Sequence, residues 1–108
     1  MIHLKHNVRL HELAPQVVLA LQVADALWRR YDVLECWVTS CNDSQHKTNS
    51  FHFKGLAVDL RSHTIPTLSI KQHILNELRA ALGKDFDVLL ESENTANEHY
   101  HIEWDPKE

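Results

Sequence analysis

The sequence predicts an α+β domain: a small, mainly antiparallel sheet of about four strands, with two helices packed on one face. Three observations predict it. The stretches Leu56–Arg61, Phe86–Glu91 and His99–Trp104 alternate polar and apolar residues with the period of a strand. Two longer stretches carry apolar residues at helical spacing. The last two strand-like stretches are joined by Ser92-Glu-Asn-Thr-Ala-Asn97, a short polar segment that reads as a hairpin loop.

Taken in order, residues 1–12 are mixed and read as an irregular or short extended lead. Pro15 sits where a first helical turn accepts proline. Val17, Leu21, Ala24, Trp28 and Tyr31 then recur three and four apart, so a helix runs from Pro15 to Tyr31. Arg29 and Arg30 favour its negative pole. Glu35–Ser40 is rich in aromatic and β-branched residues and reads as a strand. Cys41–Asn49 is a polar loop. In Leu56–Arg61, Ala57, Asp59 and Arg61 share one face, while Leu56, Val58 and Leu60 turn to the core. Pro66 opens a second helix, with Ile70, Ile74, Leu75, Leu78, Ala81 and Leu82 on its apolar face and Gly83 as its stop. His73 falls on the opposite, solvated face. Phe86, Val88 and Leu90 form the apolar face of the next strand, leaving Asp87, Leu89 and Glu91 on the other. In the last strand His99, His101 and Glu103 share a face, with Tyr100, Ile102 and Trp104 behind them.

A chain of 108 residues supports a single domain with one modest core. Its 44% hydrophobic and 24% charged content is that of an ordinary soluble globule. A net charge of −4 argues against nucleic-acid binding. No stretch is long and apolar enough to span a membrane. The N-terminus lacks the apolar run of a signal peptide. Cys36 and Cys41, the two cysteines, read as free thiols suited to a reducing compartment.

Chemistry concentrates in two places. Ser50-Phe-His52-Phe-Lys-Gly55-Leu-Ala57-Val-Asp59 sets a histidine and an aspartate seven apart, and both are zinc-ligand types. Gly55 allows a tight turn or close backbone approach before the strand. Glu98-His-Tyr-His101-Ile-Glu103 adds further imidazoles and carboxylates. A catalytic zinc site uses three protein ligands and keeps one position open. His52, Asp59 and His101 make such a set. Two readings compete with it: a metal-free, partly exposed polar sheet face with His-Asp pairs and, for Asp59 alone, a buried aspartate paired with Arg61.

Ser50-x-His52-x-x-Gly55-x-Ala57-x-Asp59 resembles the first motif of the zinc D-Ala-D-Ala peptidases, in the group that includes lysostaphin and the hedgehog domain. His99-x-His101 resembles that group's second motif, and Glu98-x-x-His101 the acid-x-x-His arrangement of its dipeptidases and phage endolysins. The resemblance runs from Thr39 to Trp104. It implies a zinc metallopeptidase that hydrolyses peptidoglycan stem peptides, as a carboxypeptidase or endopeptidase of phage or bacterial origin. It further implies one Zn²⁺ held by His52, Asp59 and His101. Glu98 is then the general base, with Glu91 and His99 as alternatives; His99 could instead orient water or stabilise the oxyanion. In many relatives a Thr-Ser pair is followed by glycine, an aromatic residue and a substrate-contacting arginine; here Cys41, Asn42 and Asp43 follow. Lys47 and Arg61 are the cations available for that role. Ser50 reads as a residue that holds its loop or contacts substrate, Glu103 as one that orients a ligand, and His46 as a loop imidazole. The expected partner is a wall peptide, and the expected protein is a monomer made in the cytoplasm or carried by a virion. Two other classes stay open: a zinc-binding domain without turnover that recognises wall peptide or serves a virion, and a metal-free structural protein.

Overall fold

The computed structural model describes residues 1–8, 13–41 and 56–106. Seven elements follow in order: β1 (Ile2–Leu4), α1 (Pro15–Arg30), β2 (Cys36–Ser40), β3 (Ala57–Arg61), α2 (Leu68–Leu82), β4 (Phe86–Glu91) and β5 (His99–Trp104). They form the expected α+β fold. The five strands make one mixed sheet in the order β1-β2-β3-β5-β4. Only β1 pairs parallel with its neighbour; the other ladders are antiparallel.

The sheet has one strand more than expected, because the lead takes the short extended form at residues 2–4 and pairs along β2. That pairing joins segments 34 residues apart (Ile2 with Cys36), so no local pattern announces it. In β2 the register slips between Val38 and Ser40, a bulge that bends the strand beside Asp59.

Both helices begin and end for identifiable reasons. Helix α1 opens on Pro15 and ends one residue short of the expected Tyr31, which caps it. Asp32 follows at φ 62°, the Asp32 amide donates to Arg29 O and the Val33 amide to Trp28 O. These are the two bonds of a Schellman motif, and Val33 is buried beneath it. Helix α2 starts later than Pro66: Thr67 is its N-cap, and its hydroxyl accepts from the Ile70 amide at 3.2 Å. A cap needs a side-chain oxygen, which proline lacks. Ala81, expected on the buried face, is exposed, while Ile74 and Leu78 are fully buried. His73 is exposed as expected.

The core is one continuous cluster between helices and sheet. Val17, Leu21, Ala24 and Trp28 of α1 and Ile74 and Leu78 of α2 meet Val38, Val58, Leu60, Val88, Tyr100 and Ile102 of the sheet. Each fully buried aliphatic side chain there is worth roughly 1.5–3 kcal/mol. Trp28 lies edge-on to Tyr100, ring centroids 5.2 Å apart. Cys36 and Cys41 are both buried. Burial, helped by the charge of Asp25, pushes the Cys36 thiol up to about 12, so it behaves as a small apolar side chain. Val58 and Ile102 face the helices, so Asp59, His99, His101 and Glu103 emerge on the opposite side of the sheet. Among the described residues, no helix is long and apolar enough to cross a membrane.

Candidate metal centre and cleft

The site sits at the middle of the sheet because β3 and β5 are neighbours in register. Asp59 stands directly opposite His101, and Arg61 opposite His99. On the far side of β5, Glu91 stands opposite His99 and Asp87 opposite Glu103. Strand alternation turns all of these side chains to one face.

The His101 ring lies between two carboxylates, 2.8 Å from Nδ1 to Asp59 Oδ1 and 2.6 Å from Nε2 to Glu103 Oε1. Burial by itself would lower the His101 pKa. The hydrogen bonds and charges of Asp59 and Glu103 outweigh it and bring the pKa up to about 9, so without metal the ring carries both protons. If Nδ1 gives up its proton, its lone pair faces Asp59 while Nε2–H still donates to Glu103. That is the carboxylate–histidine arrangement that fixes a metal-binding imidazole in one tautomer.

His99 is the second imidazole of the cluster. Its Nδ1 donates to Asn97 O at 2.6 Å, and its Nε2 lies 3.1 Å from Glu91 Oε1 and 3.8 Å from Asp59 Oδ1. Asp59, Glu91 and His99 each bring a ligand-type atom within 4.8 Å of the others. Asp87, Glu103 and Asp105 form a second such group. These acidic and histidine groups could bind a metal ion.

Glu98 is placed differently. It immediately precedes β5 and is 3% exposed. Its carboxylate accepts from Ser62 Oγ at 2.6 Å, Lys71 Nζ at 2.5 Å and the Asn94 amide at 2.9 Å. Burial would raise its pKa, but those three donors and the Lys71 charge outweigh it and bring it down to about 2. A carboxylate so fully satisfied is a weak proton acceptor.

Arg61 does not pair with Asp59. Its guanidinium carbon lies 5.1 Å from the centre of the Trp37 ring. Trp37 is itself stacked on His3 at 4.7 Å, and its Nε1 donates to Glu35 at 3.0 Å. An open cleft of about 580 Å³ borders the cluster, lined by Lys5, Thr39, Asp59, Arg61, His63, Ala96, Asn97, Glu98 and His99. The predicted His52, Ser50 and Lys47, with Gly55 and His46, lie outside the described residues.

The structure therefore brings together Asp59, His101, His99, Glu91 and Glu103, and holds Glu98 in a separate network. Sequence reasoning passed over Lys5, Thr39, His3 and Trp37. The aromatic character of Trp37 was visible, but its closeness to Arg61 follows from the β2–β3 pairing. Comparisons with protein-family models, curated proteins and solved structures find no match.

Proposed function

We propose that the chain is a zinc-dependent peptidase acting on peptidoglycan stem peptides, as a carboxypeptidase or endopeptidase. The observation that carries the reading is the Asp59–His101 pair, in register on adjacent strands, with Glu103 on the far nitrogen of the imidazole. The spacing of His52 and Asp59 in the motif adds the third ligand. Carboxylate and imidazole suit zinc, and the His101 orientation presents Nδ1 toward Asp59.

Zinc, when bound, supplies Lewis acidity toward a peptide carbonyl and makes water acidic enough to lose a proton near neutral pH. His52, Asp59 and His101 would hold the ion, and Glu103 would keep the His101 ring oriented. Glu91 is the better proton acceptor than Glu98. Its side chain is 44% exposed and lies against His99, whereas the Glu98 carboxylate is spent on Ser62, Lys71 and Asn94. The Glu91–His99 pair can take a proton from water and return it to the leaving amine. The test is digestion of purified cell-wall sacculi by zinc-loaded protein, with the released peptides read by mass spectrometry. Glu91→Gln should lose at least about 10²-fold in turnover at unchanged zinc content, and His101→Ala should lose zinc. Full turnover in Glu91→Gln would return the base to Glu98 or His99.

The engaged Glu98, together with Asn42 and Asp43 where relatives carry an aromatic residue and arginine, favours a second reading. In it the chain binds zinc and wall peptide without turnover, for example as a virion part. Zinc-loaded parent protein that binds stem peptide but releases no fragment from sacculi would select this reading.

A further inference from the structure

The zinc site proposed above draws on Asp59 and His101, and a second group of ligand-type atoms lies beside it. Asp59, Glu91 and His99 each offer one such atom, and the three atoms lie within 4.8 Å of one another. Sheet register builds the group. Glu91 on β4 stands opposite His99 on β5, and Asp59 lies on β3, the other neighbour of β5. The His99 ring is fixed from behind. The Asn97 carbonyl can only accept, so the Nδ1 proton sits on that side, at 2.6 Å between heavy atoms. A neutral His99 then turns its Nε2 lone pair toward Glu91 Oε1 at 3.1 Å and Asp59 Oδ1 at 3.8 Å. A backbone carbonyl behind an imidazole whose other nitrogen meets carboxylates is the setting of a metal-ligating histidine. Two carboxylates and a neutral imidazole together match the charge of a divalent cation. Asp59 and His99 line the open cleft and Glu91 is exposed, so an ion has a path to the group.

We propose that Asp59, Glu91 and His99 are a second, weaker zinc site, and that filling it shuts off turnover. The inhibition rests on the peptidase reading, in which Glu91 and His99 move the proton; the site itself does not. Asp59 has two carboxylate oxygens and can serve both ions, as carboxylates do in two-metal sites with ions about 3.5–4 Å apart. An ion already held by Asp59 and His101 repels a second cation and takes up part of the Asp59 charge. The second site therefore fills only at zinc concentrations well above those that fill the first. Once Glu91 and His99 are ligands their lone pairs are engaged, and neither can take a proton from water. The imidazole selects zinc over magnesium, which prefers an all-oxygen shell.

The experiment is equilibrium dialysis of the full chain against rising zinc, with metal per chain read by elemental mass spectrometry. The parent should take up a first zinc and then, at higher concentration, a second. His99→Ala and Glu91→Gln, with folding checked by circular dichroism, should keep the first step and lose the second. Asp105→Asn, in the other carboxylate group, should keep both. Turnover of the parent on sacculi should fall by at least about 10²-fold across the second step, the scale of a lost proton acceptor. Magnesium at the same concentration should have no such effect. A single uptake step, a second step that survives in both His99→Ala and Glu91→Gln, or full turnover with both ions bound would overturn the proposal. The peptidase reading fails separately: a second step that depends on His99 and Glu91, in a parent that releases no wall peptide at any zinc concentration, would keep the site and remove the inhibition together with the peptidase.

Discussion

Glu98 shows how one residue's surroundings decide between chemistry and stability. Its motif position suggests a base, yet its carboxylate ties the loop before β5 to α2 through Lys71 and to Ser62 after β3. Tyr100 reinforces the same junction by donating its hydroxyl to Lys71 O at 2.7 Å. Glu98→Gln keeps the shape but removes the charge that Lys71 and Ser62 meet, so it should cost about 1–3 kcal/mol in denaturant unfolding. The pH dependence follows from the sign of the shift. The folded pKa, about 2, lies below the ordinary value of 4.5, so ionised Glu98 stabilises the fold above pH 4.5. That contribution is lost as the pH falls from 4.5 through about 2. Thermal melts across this window should show the parent losing stability that Glu98→Gln lacks from the start. Matching slopes for the two proteins would mean that Glu98 carries no such role. The donors Ser62 and Lys71 are not legible in the sequence, because they lie 36 and 27 residues away from Glu98.

At the scale of elements, what could be read early and what could not divides by the range of the interaction. Both helices and strands β3, β4 and β5 are written in local periodicity, and their bounds depart from expectation by at most two residues. Strand β1 is three residues long and has no periodicity to read; it exists through its pairing with β2. Strand alternation puts Asp59 and His101 on polar faces, whereas their pairing across β3 and β5 and the Arg61–Trp37 contact both depend on sheet order. Two terminators make the point quantitatively. Gly83 ends α2 at φ 81° and ψ −171°, a region almost restricted to glycine. A Cβ there would meet nothing within 4 Å, so the cost of Gly83→Ala is backbone strain alone. It should be about 1–3 kcal/mol in chemical denaturation. Asp32 is the opposite case, a side chain bearing φ 62° after α1 in a Schellman motif that prefers glycine. Asp32→Gly should raise the unfolding midpoint, by up to about 1 kcal/mol in stability. A drop in stability would mean that the Asp32 side chain contributes more than its strain costs.

The whole molecule separates its tasks by the two faces of one sheet. One face is closed by α1 and α2 over Val58, Leu60, Tyr100 and Ile102. The other gathers Asp59, Glu91, His99, His101 and Glu103, whose acidic groups outnumber the imidazoles. Because the sheet stands between them, a change on one face should not be felt on the other beyond a few tenths of a kcal/mol. Ile74 is fully buried in α2 on the closed face. Ile74→Ala should cost about 2–5 kcal/mol and lower the melting temperature, but leave zinc affinity intact. His101→Ala should behave in the reverse way, with modest loss of stability in chelator and no response to added metal. In the parent, zinc at a hundredfold excess over its dissociation constant should add about 2.7 kcal/mol to stability, a rise in melting temperature that chelation reverses. The same rise should appear in Ile74→Ala from its lower starting point and be absent in His101→Ala. Zinc stabilising His101→Ala as strongly as the parent would place the ion elsewhere, on the Asp59–Glu91–His99 group or on Asp87, Glu103 and Asp105. A loss of the zinc response in Ile74→Ala would show instead that the two faces are coupled through the backbone of β3 and β5.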